Sequence, residues 1–348
     1  MKKLFAIAVV VAIVVLNCTA ALAVNSNTYY SMGEISELLQ PYLIEENVGE
    51  GDYEGLYLLA IDVLIGESEH SVETSNSYDL IKEFLVQFKL AYEDYLYCNT
   101  ALEYGESGKS LIVDIVKTNN CVKFDELSGK LSFDLSDDFM QMTIQDIIDA
   151  NREKELFVAQ TRNSTRAVSS SYSGSAAASY AIRYGVNYNS AAYPFYSALE
   201  GGDCTNFVSQ CLFAGGIPKV GSKSAEGIYN STTQWYCICT YDPGYQSGNG
   251  REYALSTSWI RATDFNTYMT SIANSKTVKT STTSLYNSCS VGDVVQLLSS
   301  AGSPYHTVII SEKTSSGASY CGHTNDTDGS PISKLFENAS QVAFFDFT

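Results

Sequence analysis

The segment from Gly201 to Pro218 has unusually clear boundaries, and these limit how the surrounding residues can fold. The adjacent glycines Gly201 and Gly202 interrupt any regular element that precedes the segment. Asp203 then supplies a side chain that favours a helix N-cap, and Gly215-Gly216-Ile217-Pro218 supplies a cap and a stop. The sequence therefore predicts a helix that begins at Cys204 and ends near the second pair of glycines.

Two interpretations fit Cys204 at the start of this helix. The unpaired N–H groups of the first turn, around Asp203 and Thr205, favour a thiolate and can hold an oxyanion, which predicts a catalytic nucleophile. Alternatively, Cys204 is a buried structural residue in an apolar stripe with helical spacing. That stripe comprises Cys204, Phe207, Val208, Cys211 and Leu212. Asp203 could itself be a catalytic carboxylate, but its position directly before the cysteine favours capping.

Two of the three histidines lie near the end of the chain, each in a strand-like setting. His306 begins an apolar run that ends at Ile310, and a second strand is predicted over 319–324 with His323 near its end. Two adjacent antiparallel strands could bring His306 and His323 side by side. One imidazole could then accept the proton of Cys204 while a second polar group orients it, as nucleophilic catalysis requires.

The first residues have the pattern of a signal peptide, predicted over residues 1–23. Lys2-Lys3 form a positive start, Leu4–Leu16 is apolar, and Ala21-Leu22-Ala23 provides a small-residue cleavage site. The apolar run is shorter than the roughly 20 residues that span a bilayer. A lipidated Cys18 is the alternative, but the residue before it is not small. We therefore expect a secreted, extracellular protein with no stable membrane insertion after cleavage.

Charge and cysteine usage exclude several classes of partner. The formal net charge of −18 disfavours nucleic acid, whose phosphates attract basic surfaces. Of the nine cysteines, eight lie after the predicted cleavage site, so an exported chain could contain disulfides, although their pairing cannot be read. Cys237-Ile238-Cys239 has no matching ligand pair, and no acidic stretch has the spacing of a calcium loop. We therefore expect no metal and no organic cofactor.

The chain divides into two predicted domains. Residues 31–163 are expected to form a small α+β domain of unknown role, residues 164–174 a small, polar linker, and residues 175–348 a second domain. Apolar periodicity in the first domain predicts helices over Met32–Ile44, Asp79–Leu90 and Ile144–Ala159. Tyrosine and β-branched residues predict strands over Tyr92–Leu102 and Ser110–Val116, joined by a hairpin loop at 104–108. His70 is expected at the surface.

The second domain resembles the putative amidase domain family, over about residues 172–345. The most specific match is Gly201–Pro218 with its Gly-Gly-Asp-Cys-Thr-Asn-Phe-Val-Ser-Gln sequence. Further matches follow in the same order as in the family: Ala176–Ala181 before that segment, then Trp259, Phe265, Tyr268, Gly292–Val295, His306 and His323–Asp326. The family is related to the NlpC/P60 and CHAP cell-wall hydrolases. The resemblance implies a papain-like α+β fold, in which a nucleophile helix packs on an antiparallel sheet.

The resemblance also implies roles for individual residues. Cys204 would be the nucleophile and His306 its base. His323 would orient the base, with Asn325 as the alternative, because papain-like enzymes use His, Asn or Gln in that role. The implied activity is hydrolysis of an amide bond through a thioester. Peptidoglycan peptides are the leading substrate by analogy with the related hydrolases, and another peptide or amide is the alternative.

Two rival functions remain open from the sequence. The same residues could perform proteolysis or transpeptidation, which differ only in substrate and acceptor. Alternatively, the chain is an exported binding protein whose amidase-like domain is inert, and Cys204 would then be bonded in a disulfide, with Cys211 or Cys239 as partners. The first domain could dock substrate, bind a partner or act as a prodomain. A prodomain should cover the catalytic cleft.

Overall fold

A computed structural model of the chain describes residues 26–66, 70–161, 172–244 and 250–348. The predicted signal peptide and linker residues 164–171 lie outside the described residues. None of the helices within these ranges is both long enough and apolar enough to cross a membrane.

Helices dominate the first half of the described chain. They are α1 (Met32–Glu45), α2 (Tyr53–Ile65), α3 (Tyr78–Glu103), α4 (Glu106–Thr118), α5 (Asp137–Gln141) and α6 (Ile144–Thr161), with 3-10 turns at Ser26–Tyr29 and Ser71–Thr74. One antiparallel hairpin, β1 (Val122–Asp125) and β2 (Lys130–Phe133), lies between α4 and α5. We call residues 32–161 the N-terminal layer. The three helices predicted from apolar periodicity are confirmed.

The two strands predicted in the N-terminal layer are wrong. Tyr92–Leu102 is the second half of α3, and Ser110–Val116 lies within α4. Tyrosine and β-branched residues are common in strands, but here the buried side chains recur every three or four residues, as on one face of a helix. The predicted hairpin loop is a helix–helix junction, where Gly105 adopts a φ of 58° that few other residues accept.

The second half contains helices and two sheets. Its helices are α7 (Gly174–Tyr184), α8 (Cys204–Ala214), α9 (Thr257–Ile260), α10 (Ala262–Ile272), α11 (Thr282–Ser288) and α12 (Leu335–Asn338), with a 3-10 turn at Ala198–Glu200. Its strands are β3 (Gly227–Tyr229), β4 (Cys237–Tyr241), β5 (Glu252–Ser256), β6 (Ser275–Lys279), β7 (Val294–Leu298), β8 (Pro304–Thr314), β9 (Gly317–Gly322), β10 (Thr327–Pro331) and β11 (Gln341–Asp346). The structure is therefore of the mixed α+β class, as expected.

The larger sheet has six strands in the order β10-β9-β8-β7-β11-β6, and each neighbouring pair is antiparallel. Strands β7 to β10 form a meander, and β11 pairs with the free edge of β7. The smaller sheet has the order β3-β5-β4. Strand β8 therefore lies inside the larger sheet, between β7 and β9.

The two faces of the larger sheet contact different helices. On one face, Val308 of β8 belongs to an apolar cluster with residues of the N-terminal layer, including Phe84 of α3. On the other face, Ile309 belongs to a second cluster with Phe207 of α8. Helices α7, α8 and α10 pack against β8 on this second side. Because side chains alternate along a strand, neighbouring residues of β8 face the N-terminal layer and α8 in turn.

His70, which was expected at the surface, joins two elements of the N-terminal layer. Its Nδ1 lies 3.0 Å from Glu46 and its Nε2 lies 2.8 Å from Asp62. Burial opposes protonation of this imidazole, but the hydrogen bonds and charges of the two carboxylates outweigh that effect and raise the pKa of His70. The histidine is therefore a structural link rather than a solvated residue.

We predict that the stability lost in His70→Gln depends on pH. A raised pKa in the folded state contributes stability below the unfolded pKa of about 6.5, and the contribution disappears as pH rises through the folded pKa. Urea unfolding of both proteins between about pH 5 and pH 9 should show the larger difference in the free energy of unfolding on the acid side. A difference that does not change with pH would contradict this assignment.

Candidate active site

The start of α8 is attached directly to β8. Thr205 and Thr307 lie side by side, with 3.0 Å between their hydroxyl oxygens. The sulfur of Cys204, the first residue of the helix, lies 3.7 Å from the Thr205 hydroxyl oxygen and receives a hydrogen bond from the backbone N–H of Thr307. The helix predicted from the glycine boundaries is confirmed, and its first turn meets the strand at the residue after His306.

His306 precedes this junction and faces the N-terminal layer, where the Lys89 charge affects the pKa of both His306 and Cys204. It pairs with Leu297 of β7 and is 5% exposed. Its Nδ1 is buried and has no hydrogen-bond partner among the described residues. Burial, assisted by the positive charge of Lys89, lowers the pKa of His306 to about 3. The imidazole is therefore neutral near pH 7 and keeps one nitrogen available to accept a proton.

His323 does not lie beside His306. Ile309 of β8 pairs with Cys321 of β9, so the odd-numbered residues of β9 face α8, and His323 continues on that side. Its ring stacks on Phe207 with centroids 3.9 Å apart. Its Nδ1 lies 2.6 Å from Asp203 and its Nε2 lies 2.7 Å from the Tyr184 carbonyl oxygen. Both nitrogens are engaged by Asp203 and Tyr184, so the ring orients the start of α8.

The alternative orienter, Asn325, is also directed elsewhere. Its side-chain amide donates to the backbone oxygen of Ile65, at the end of α2, over 2.8 Å. The structure therefore brings together Cys204 and the strand that carries His306, but brings neither proposed orienter to that histidine. The prediction that His306 and His323 lie side by side is wrong because it assigned both to one face of the sheet. A shift of one residue along a strand moves a side chain to the other face.

Asp203 occupies the N-cap position of α8, but its side chain does not cap the helix. One carboxylate oxygen accepts from the backbone N–H of Tyr196 over 3.1 Å and from the side-chain amide of Asn206 over 2.7 Å. The other faces His323. Asp203 is therefore the centre of a buried polar network that fixes the residue before Cys204.

Burial also dominates the chemistry of Cys204. Cys204 is 9% exposed, and this burial raises the pKa of its thiol despite the nearby Lys89 ammonium and the Thr307 hydrogen bond. The sequence predicts a thiolate stabilised by the helix N-terminus, whereas in this arrangement desolvation outweighs that effect. The sulfur is therefore a thiol near pH 7, beside a strand that carries a neutral imidazole.

The model of the family described as "Putative amidase domain" matches residues 171–345, half of the chain. The chain belongs to this family. Searches of curated proteins and of solved structures gave no match. The amidase domain begins just before α7 and ends in β11, so it includes both Cys204 and His306.

All eight described cysteines of the amidase domain and the N-terminal layer are free thiols. Cys211 on α8 and Cys321 on β9 are fully buried, whereas Cys239 is exposed on β4. Cys204 is thus not bonded to either of the partners that an inert domain would favour. A cysteine nucleophile must not be bonded in a disulfide, because its thiolate is the form that attacks.

Sequence reasoning missed the residues of the N-terminal layer that reach the amidase domain's site. Lys89 is 3% exposed and donates to the backbone oxygen of Tyr305 over 3.0 Å, directly before His306. It also pairs with Glu93 over 2.6 Å. The sequence contains one signal for this contact, because Lys89 and Glu93 have opposite charges four residues apart in an otherwise apolar helix. Such a spacing usually indicates an ion pair on the exposed face of a helix.

We predict that Asp203→Ala lowers the free energy of unfolding by about 3–5 kcal/mol, because it leaves a buried imidazole and two donors without their partner. Urea unfolding followed by the fluorescence of the two tryptophans measures this change, since both are buried in the amidase domain. Asp149→Ala, which removes an exposed ion pair with Arg152, is the control and should cost less than about 1 kcal/mol. Equal losses in the two variants would refute the structural role of Asp203.

Proposed function

We propose that this chain is a cysteine-dependent amide-bond hydrolase with Cys204 as nucleophile and His306 as base. The observation that supports this most strongly is the junction at Thr307, where a free cysteine thiol at a helix N-terminus meets the strand residue next to a neutral histidine. Membership of the amidase family supports the same reaction class. Nucleophilic catalysis needs the nucleophile and its base within hydrogen-bond reach, a distance that is often longer before substrate binds.

The proposed reaction has two steps. In the first, the proton of Cys204 passes to His306, the sulfur attacks the amide carbonyl carbon, and the N–H groups of the first turn of α8 stabilise the oxyanion. The imidazolium then donates its proton to the leaving amine as the C–N bond breaks, which gives a thioester. In the second step, His306 accepts a proton from water, and the hydroxide attacks the thioester and displaces the sulfur as a thiolate. The imidazolium then returns its proton to Cys204 as the carboxylic acid product leaves.

We also propose that the amidase domain is papain-like. The arrangement of α8 against an antiparallel sheet, with His306 on a strand that the helix contacts, supports this fold. Papain-like sites have a third polar residue that orients the histidine, and neither His323 nor Asn325 is in position to do so here. In the proposed fold, His323 instead orients the helix through Asp203.

The substrate that we propose is a peptide or another amide outside the cell, with peptidoglycan stem or crosslink peptides as the first to test. The signal-peptide pattern of residues 1–23 supports export. The acidic net charge does not favour binding to an acidic wall polymer, so a diffusible peptide is an equally suitable substrate. The same two steps would give transpeptidation if an amine replaced water.

One observation favours a binding protein with an inert site as the second candidate. Cys204 and His306 are 9% and 5% exposed, so a substrate cannot reach them in this conformation. The free thiol of Cys204 does not fit the disulfide that an inert domain would favour. Reactivity of this thiol towards an amide therefore distinguishes the two candidates.

We predict that Cys204→Ala and His306→Ala each reduce kcat/KM for amide hydrolysis by at least about 10³-fold, because each removes one of the two groups that act as a unit. A panel of peptide amides and wall stem peptides, followed by release of the amine, measures this. The exposed Cys239 provides the matched control, and Cys239→Ala should retain full activity. Hydrolysis that survives Cys204→Ala would place the chemistry elsewhere.

A further inference from the structure

Three residues of α3 at intervals of four face the junction between α8 and β8. We call Lys89, Glu93 and Tyr97 the cover stripe. The Lys89 ammonium donates to the backbone oxygen of Tyr305, the residue before His306. The Tyr97 hydroxyl lies 3.1 Å from the backbone oxygen of Gly201, in the loop that precedes Cys204. One helix of the N-terminal layer therefore contacts the chain on both sides of the catalytic pair.

A second helix reinforces this cover. The Tyr57 hydroxyl of α2 lies 3.3 Å from Glu93, and Asn325 donates to the carbonyl of Ile65 at the end of α2. Tyr57, Lys89 and Tyr97 are each at most 3% exposed. The Tyr97 ring packs closely against the backbone of Gly201. A Cβ atom at position 201 would lie only 2.6 Å from this ring. No substrate amide can approach the Cys204 sulfur while these side chains are in place.

The cover also shifts the pKa values of Cys204 and His306 in directions that keep both residues uncharged and unreactive. Burial raises the pKa of the Cys204 thiol, and burial with the Lys89 charge lowers the pKa of His306. Both changes favour the neutral thiol and imidazole over the thiolate and imidazolium. Exposure to water would reverse both effects, since desolvation is the largest cause of each.

Part of the contact between α3 and the amidase domain is polar, and water can replace that part. Glu83 accepts from the Ser300 hydroxyl over 2.7 Å, Gln87 donates to Ser303 over 3.0 Å, and Asp94 pairs with Arg261. These polar groups form a row along the helix, as at interfaces between domains that move relative to one another. Separation at this row exposes groups that water can hydrogen-bond, which costs less than opening the apolar cluster that contains Phe84 and Val308.

We propose that α2 and α3 form an autoinhibitory cover, and that substrate reaches Cys204 only after the cover stripe moves away from the α8–β8 junction. This inference rests on the proposed function, because it assigns regulation to the same site. It requires the cover stripe and Tyr57 to separate from the α8–β8 junction, while Phe84 and the other apolar residues of α3 remain in the cluster that they share with Val308.

The thiols of the chain provide an internal test. We would treat the full-length protein with iodoacetamide and map the modified cysteines by mass spectrometry over time. Cys239 is exposed and reports the intrinsic rate, whereas Cys211 and Cys321 are fully buried in the amidase domain and report its global unfolding. We expect Cys204 to react much more slowly than Cys239 but faster than Cys211 and Cys321, and to become accessible at lower urea than those two.

Two variants should open the cover. Lys89→Met removes the bond to Tyr305, and Asp94→Asn weakens the pair with Arg261. Each should increase the modification rate of Cys204 at least 10-fold, leave that of Cys211 unchanged, and increase amide hydrolysis in parallel. Asp149→Asn, which alters an exposed pair within α6, is the matched control and should change none of these rates.

The outcomes separate the two proposals. If Cys204 reacts as fast as Cys239 in the wild-type protein, the site is already open and the cover proposal is wrong. It is equally wrong if Cys204 is as protected as Cys211 at every urea concentration and the variants change nothing. If the variants expose Cys204 but no amide is hydrolysed, the cover is supported and the proposed hydrolase activity fails. The urea series on the wild-type protein remains decisive even if a variant does not fold.

Discussion

The site depends on one short chain of hydroxyl and amide contacts between the sheet and α8. The side-chain amide of Gln296 on β7 donates to the Thr307 hydroxyl over 2.9 Å, and that hydroxyl lies 3.0 Å from Thr205. All three side chains are fully buried, so water cannot replace these bonds without unfolding. They fix the rotation of α8 relative to β8, and this rotation places the Cys204 sulfur at the residue next to His306.

The position of α8 is also determined from its other side. Asp203 and His323 form a buried pair directly before Cys204, and the ring of His323 stacks on Phe207 one turn further along the helix. A carboxylate in this position could have capped α8, but doing so would have left the imidazole without its partner. The Asp203 side chain thus bonds to His323, 120 residues further along the chain, instead of capping α8. The start of the helix is therefore held by His323, directly after β9, as well as by Thr307 of β8.

Local signals in the sequence predict elements well and contacts poorly. The glycines and proline around α8 predict its two ends, and alternation predicts β8 and β9, because these signals depend on nearby residues only. The tyrosines in the second half of α3 predict a strand. The segment is a helix because its side chains pack into two apolar clusters at once. The side of the sheet that His323 faces depends on register across β8 and β9. The contact of Lys89 with Tyr305 joins residues far apart in sequence, and no local pattern encodes it.

The N-terminal layer cannot be a simple removable prodomain, because it shares a core with the amidase domain. Val295, Leu297, Val308 and Ile310 cluster with apolar residues of α1, α2 and α3, and each is at most 1% exposed. Loss of the whole layer would expose this face of the sheet to water, and an apolar patch of this kind promotes aggregation. The polar row on α3 lies beside this core, whereas Tyr97 of the cover stripe belongs to the second cluster, which contains Phe207. Opening at the row, while the apolar core remains intact, would expose Cys204 at a much smaller cost than removal of the layer. Regulation by movement is therefore the arrangement most consistent with how the two parts of the chain pack.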